Sequence, residues 1–241
     1  MSRARIFCEH IEPIWQNKTF SPLENQVDIW KMSVQDNSNL IPENTLSNDE
    51  ILKASRFLHS KDRASFILRR TALRTLLSRY TGIPASEIEF IAGKNKKPEL
   101  ESQLNNIRFN VSHSGDLILI AISASEVGVD IERIETGFNY SEILKHSFNE
   151  QEINQIEHAY DSRGHFFRLW TRKEALTKAS SKGLDDDLKG IPSIDGWHSI
   201  HQEAVGLSGK WQINSFNIDE EYLGSIAYQA EKIINFLYFE F

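Results

Sequence analysis

Two short segments of this 241-residue chain carry the residue types and spacings best suited to chemistry. One is Val127-Gly128-Val129-Asp130-Ile131-Glu132, and the other runs from Trp170 to Lys178 as Trp-Thr-Arg-Lys-Glu-Ala-Leu-Thr-Lys. Side chains of an extended segment alternate between faces. Val127, Val129 and Ile131 therefore point into a core, while Gly128, Asp130 and Glu132 share the other face, with Gly128 leaving room beside the acids. Oxygen-only ligands suit a hard divalent cation such as Mg2+ or Mn2+. The plainer account is an exposed strand face with two solvated acids. In the second segment Glu174 and Lys178 fall on one face of a helix. A surface salt bridge, worth little, is the ordinary reading of such a pair. The functional reading is a third metal carboxylate beside a phosphate-binding lysine, and Asp130 and Glu132 supply it with a partner.

A third segment, Phe109-Asn110-Val111-Ser112-His113-Ser114-Gly115-Asp116, reads as a strand entering a tight turn, where Ser112 and His113 can reach a ligand. Asn110 and Ser114 read as turn-capping residues. Lys53, Arg63, Arg70, Arg74, Lys94, Lys96 and Lys97 are the cations available to hold a multiply charged anion. The chain has neither a Gly-x-x-x-x-Gly-Lys-Ser/Thr loop nor a Gly-x-Gly-x-x-Gly fingerprint, which argues against a P-loop or Rossmann nucleotide site. A Gly-x-Ser-x-Gly nucleophile elbow is also missing.

The elements that must position these residues come in two successive groups. Val27–Lys31 alternates as a strand; residues 1–25 before it show little periodicity and read as an N-terminal extension. Ser47 and Glu50 form a capping box for a helix reaching about Leu58. Residues 62–80 predict a long helix closed by Gly82 and Pro84. Phe66, Leu73, Leu76, Leu77 and Tyr80 line one side of it, and Arg63, Arg70 and Arg74 form a cationic stripe beside them. A strand over 87–92, a basic turn over 93–98 and a hairpin of 107–111 with 117–123 complete the first group. The second comprises a strand over 127–133, helices near 140–146, 150–158 and 164–180, a stop at Gly183, a loop over 185–200, and strands over 211–216, 223–228 and 233–241. The fold class is therefore α+β, with halves at 26–124 and 125–241 packed together.

Bulk properties bound the function. Net charge is −7, with 40% hydrophobic and 25% charged residues, as in globular chains and unlike a general nucleic-acid binder. The single cysteine, Cys8, allows no intrachain disulfide and no cysteine-based zinc site, which suits a reducing cytoplasm. The first ten residues lack the apolar run of a signal peptide, and no apolar stretch is long enough to span a bilayer.

With these motifs in place, the chain resembles the 4′-phosphopantetheinyl transferases of the surfactin-synthetase-activating type. Val127–Glu132 and Trp170–Lys178 match that family's two signatures completely, and Phe109–Gly115 matches a third segment. Arg56-Phe57 with Asp62–Arg74, and Gly93–Pro98, match weaker ones, so the resemblance covers about residues 27–230. It implies two similar α/β halves related by a pseudo-two-fold, with the active site in the cleft between them. It implies Mg2+, with Mn2+ as an alternative, and coenzyme A as co-substrate. The implied reaction moves 4′-phosphopantetheine to a serine of an apo acyl or peptidyl carrier protein and releases adenosine 3′,5′-bisphosphate. Asp130, Glu132 and Glu174 would be metal ligands, Glu174 also the general base, and Lys178 a phosphate contact. Ser112 and His113 would hold coenzyme A, with His113 near the 3′-phosphate, and Lys97 would meet another phosphate region. Lys53, Arg63 and Arg70 occupy further coenzyme A positions. Ser65 departs from members that have arginine there, so which basic residues hold the 3′-phosphate stays open. The expected state is a cytoplasmic monomer without nucleic-acid or membrane partners. A Mg2+-dependent phosphohydrolase, or a non-catalytic homologue that binds coenzyme A or a carrier protein, is the alternative.

Overall fold

The computed structural model describes residues 2–17, 23, 25–37, 45–101, 107–182 and 188–239. Strands β1 (Arg3–His10) and β2 (Trp15–Gln16) precede β3 (Gln26–Ser33). The short helix α1 (Val34–Asn37), α2 (Asn48–Ser55) and the long α3 (Ser60–Thr81) follow. A small ribbon of β4 (Phe90–Ala92) and β5 (Pro98–Leu100) leads to the hairpin β6 (Arg108–Ser114) and β7 (Leu117–Ser123). The second half begins with β8 (Val127–Arg133), then α4 (Ser141–Ser147), α5 (Glu150–His158) and α6 (Ser162–Ser180). It ends with β9 (Gly196–His201), α7 (Gln202–Val205), β10 (Lys210–Asn217), β11 (Tyr222–Gln229) and β12 (Ile233–Tyr238).

Each half repeats one plan: a strand, then helices, then a hairpin whose second strand inserts between the other two. The spatial orders β3-β7-β6 and β8-β11-β10 follow from that plan, and both sets are antiparallel. The two similar halves expected from the sequence are therefore present. Each sheet then borrows a strand from the opposite end of the chain. β1 lies beside β10, parallel to it, and pairs with β9 on its other side. β12 runs parallel to β3 and carries β2 beyond it.

Alternation sorts the side chains into layers. Val27 and Ile29 of β3, Leu119 and Ala121 of β7, and Val127, Val129 and Ile131 of β8 meet in one core between the sheets. Alternate residues of β3 and β7, including Trp30, Met32, Ile118 and Ile120, face outward and are covered by Leu68, Ala72, Leu73, Leu76 and Leu77 of α3. On the other side, Ala175, Leu176 and Ala179 of α6 cover Ala4, Ile6, Ile213 and Ala227. The result is helix, sheet, sheet, helix. Fully burying one such Ile or Leu is worth about 1.5–3 kcal/mol.

The local signals mostly hold. Ser47 accepts from the Glu50 N–H while the Glu50 carboxylate accepts from the Ser47 N–H, completing the capping box of α2. Gly82 ends α3 at φ 75°, a left-handed conformation that costs glycine little. Gly183 lies outside the described residues, and the left-handed position after α6 is Ser181.

Four expectations change. Residues 3–10 of the expected extension instead form β1, an interior strand with Ala4, Ile6 and Cys8 fully buried. The 87–92 strand shortens to β4, because residues 85–87 close a 3-10 turn after Pro84. The 185–200 loop contains a 3-10 turn over Leu188–Gly190 and most of β9, which is recruited by pairing with β1. The cationic stripe of α3 is not free, because Glu50 of α2 receives both Arg70 and Arg74. Arg74 is buried and also donates to the carbonyls of Ala85 and Ile88.

Candidate active site

The two signature segments meet because Gly128 lets them. A Cβ on Gly128 would stand 2.1 Å from the Ala175 carbonyl oxygen and 2.3 Å from the Ala179 nitrogen, so only glycine permits α6 to lie this close to β8. The space beside the acids is thus filled by helix backbone instead of being left open. Seated there, α6 turns Glu174 and Lys178 toward Asp130 and Glu132.

The second wall is β6. Its Asn110, Ser112 and Ser114 share one face and reach across to β8 of the other half. Asn110 Oδ1 accepts from the Val129 N–H at 2.9 Å. Ser112 Oγ donates to Asp130 Oδ1 at 2.9 Å, and Ser114 Oγ donates to Glu132 Oε2 at 3.1 Å. Asn110 and Ser114 therefore join the halves instead of capping a turn; their period-two spacing with Ser112 was the signal for it. Phe109 and Val111, on the opposite face, pack toward α3.

Lys178 Nζ sits among these groups, 2.6 Å from Asp130 Oδ1 and 3.0 Å from Ser112 Oγ. Its carboxylate partner is Asp130 and not Glu174, so the i,i+4 surface salt bridge does not form. Asp130 is 3% exposed, and its Oδ2 is buried with no hydrogen-bond partner. Glu174 is likewise buried, and its Oε1 has no partner. Burial pushes the Glu174 carboxyl up to about 7, with the Asp130 and Glu132 charges adding and Lys178 opposing. Burial raises Asp130 against the pull of Lys178, and burial plus the Asp130 charge raises Glu132.

Among the described residues no three His, Cys, Asp or Glu side chains already converge as a metal-ligand set. Even so, two orphaned carboxylate oxygens in a buried acidic cluster are what a cation would relieve, since an unpaired buried acceptor is costly. On that ground the donor set fits a hard divalent ion. Beside Glu132 a cavity of about 270 Å3 opens, walled by Phe138, Ile143, Phe166, Phe167 and Trp170. A larger groove of about 550 Å3 over α2 is lined by Asp49, Leu52, Lys53, Arg56 and Phe57, and none of the three carboxylates borders it.

The remaining expected residues are spread. His113 shares the α3-facing side of β6 with Phe109 and Val111; burial, then Arg69 and Lys178, hold its imidazole down to about 4. Lys97 pairs with Glu126 at 3.3 Å and donates to the Val127 carbonyl, at the edge of β8. Arg70 is bound to Glu50 and stacked 4.3 Å over the Phe90 ring. Lys53 is exposed, its Nζ 5.4 Å over Phe66, and Arg63 is exposed in the first turn of α3. The structure thus gathers Asp130, Glu132, Glu174, Lys178 and Ser112 in one place, with His113 on the reverse of the same strand.

Residues 126–227 match the 4′-phosphopantetheinyl transferase superfamily, and residues 29–125 match the N-terminal part of a 4′-phosphopantetheinyl transferase. The chain belongs to the 4′-phosphopantetheinyl transferase family. It is 30% identical over 175 residues to a Bacillus subtilis 4′-phosphopantetheinyl transferase, covering 70% of this chain and 76% of that one. It is 34% identical to a Synechocystis sp. protein provisionally given the same name, covering 70% and 71% of the two chains. To the transferase Sfp of Bacillus subtilis strain 168 it is 28% identical, covering 73% and 79%. No helix among the described residues is long and apolar enough to cross a membrane.

Proposed function

We propose that this enzyme transfers the 4′-phosphopantetheine group of coenzyme A to a serine hydroxyl of an apo carrier protein. The observation that supports it best is the buried cluster of Asp130, Glu132, Glu174 and Lys178 at the junction of the halves, with two carboxylate oxygens unsatisfied. Asp130, Glu132 and Glu174 would hold Mg2+ or Mn2+, which when bound neutralises charge on the diphosphate.

The chain's own groups account for the rest. The carrier serine oxygen bonds to the β-phosphorus as the bond from that phosphorus to the bridging oxygen breaks. Adenosine 3′,5′-bisphosphate leaves with the bridging oxygen. The serine proton passes to Glu174, which acts as general base directly or through water. Lys178 exchanges its Asp130 contact for the diphosphate and offsets the charge that develops on the leaving group. Ser112 and Ser114 hold Asp130 and Glu132 in place. The aromatic-walled cavity beside Glu132 takes the uncharged pantetheine arm. Most of the rate enhancement comes from positioning and electrostatics.

The test incubates the protein with coenzyme A, Mg2+ and several apo carrier proteins, with mass spectrometry to detect one added phosphopantetheinyl group. Transfer is expected, and Glu174→Gln should lower kcat by ~100-fold or more while the protein stays folded. Hydrolysis of coenzyme A without modification of any carrier would favour the phosphohydrolase reading. Wild-type turnover by Glu174→Gln would remove Glu174 from the chemistry.

A further inference from the structure

We propose that Tyr222 is a positioning residue for the metal site: its hydroxyl anchors the turn that keeps Ser114 on Glu132. This rests on the metal reading above and names a residue outside every motif. Tyr222 opens β11, in the second half of the chain, and its ring is buried in the core between the sheets. Its hydroxyl accepts from the Asp116 N–H at 3.1 Å, in the turn between β6 and β7 of the first half. The backbone of that turn lies tight against it. A Cβ on Gly115, which sits at φ 53°, would stand 2.3 Å from the phenol oxygen. On its other side the turn is held by β3 and α1. The Asp116 carboxylate accepts from Ser33 Oγ at 2.7 Å and from the Gln35 N–H at 2.9 Å, and its carbonyl accepts from the Val34 N–H at 2.8 Å. Those three bonds stay inside the first half; the Tyr222 bond ties the turn to the second.

The consequence falls on Ser114, two residues before Asp116. Its Oγ accepts from the Arg133 N–H at 3.0 Å, which leaves the hydroxyl proton for Glu132 Oε2 at 3.1 Å. Glu132 keeps that partner only while Ser114 is held against β8. Tyr222 stands directly opposite Arg133 in the pairing of β11 with β8, so the hydroxyl that holds the turn and the strand that presents Glu132 are locked together. A carboxylate oriented in advance binds a cation more tightly than one that must be ordered on binding. Tyr222 therefore acts on the cation through the turn and Ser114.

The test titrates Mn2+ into the full chain with coenzyme A present, followed by electron paramagnetic resonance. It compares wild type with Tyr222→Phe, Ser114→Ala and the double variant, with melting temperatures checked for each. Ser114→Ala should weaken Mn2+ binding about 10-fold or more. Tyr222→Phe, which keeps the ring, should weaken it about 2- to 10-fold, the worth of one hydrogen bond. The double variant should bind no worse than Ser114→Ala, because both changes act on one contact; a merely structural role for Tyr222 would make the losses multiply. Amide hydrogen exchange at Asp116 should quicken in Tyr222→Phe. Wild-type Mn2+ affinity in Tyr222→Phe, or losses that multiply in the double variant, overturns the assignment while leaving the metal reading in place. If the wild-type chain binds no Mn2+, the metal reading itself fails and this inference falls with it.

Discussion

Lys173 and Glu174 are adjacent in one signature, yet Glu174 belongs to the acidic cluster with Asp130 and Glu132 while Lys173 belongs to a separate buried pair, and replacing Lys173 with methionine isolates that difference. The Lys173 and Glu152 side chains are 0% and 1% exposed, with Nζ 2.9 Å from Oε2. The ammonium also donates to the carbonyls of Leu188 and Ile191, at 2.8 and 2.6 Å. Glu152 in turn accepts from Ser193 Oγ and from the Asn149 N–H at the start of α5. Methionine preserves most of the volume but strands a buried carboxylate and two buried carbonyls. Breaking a buried pair from one side costs about 3–5 kcal/mol. In a chain of this size each kcal/mol lowers the melting temperature by about 2–4 °C, so a fall of roughly 10 °C is expected. Urea unfolding of Lys173→Met, Glu152→Gln and the double variant forms a double-mutant cycle. The double variant should be more stable than Lys173→Met, because the stranded charge is gone. At a temperature where it is folded, Lys173→Met should retain a kcat near wild type. A loss below ~1 kcal/mol, or a double variant no better than the single, would refute the reasoning.

Two further outcomes follow from the packing and the charge network. Gly128→Ala should unfold the protein or cost more than ~3 kcal/mol, since the added carbon meets helix backbone that cannot swing aside; a folded variant with normal activity would show that α6 can shift. At Glu50, burial opposes ionisation, but the Ser47 N–H, Arg70 and Arg74 outweigh it and hold the carboxyl below its ordinary 4.5. The folded state therefore binds fewer protons than the unfolded one. The stabilisation is present above pH 4.5 and is lost as pH falls through the lower folded value. Wild type should lose melting temperature on acidification more steeply than Glu50→Gln, which should be less stable at pH 7 by about 1–3 kcal/mol; parallel curves would sink the claim.

The sequence was most informative where a local rule sufficed. The Ser47–Glu50 box, the Gly82 stop and the two faces of β8 all follow from spacing within a few residues. It was least informative where the deciding partner is remote. The angular cluster of Arg70 and Arg74 was visible, but the carboxylate that claims them sits on α2, 20 and 24 residues away. The small side chains Ala4 and Cys8 gave β1 a faint pattern, which Phe7 interrupts, and its neighbours β9 and β10 lie near the other end of the chain. At the site, the carboxylates announced themselves by type and period. The preference of Lys178 for Asp130 over Glu174 depends on how closely α6 approaches β8, a three-dimensional fact carried by Gly128.

The exchange of terminal strands governs how this protein is made. β1 leaves the ribosome first but must wait for β10, some two hundred residues later, before its parallel ladder can close. β3 likewise waits for β12. Neither sheet is complete while the other half is still being synthesised. Such distant pairings are slow to form, and a nascent chain cut short before β12 leaves β3 with an open edge that invites aggregation. Completion of both sheets is therefore late and falls to strands near the end of the chain.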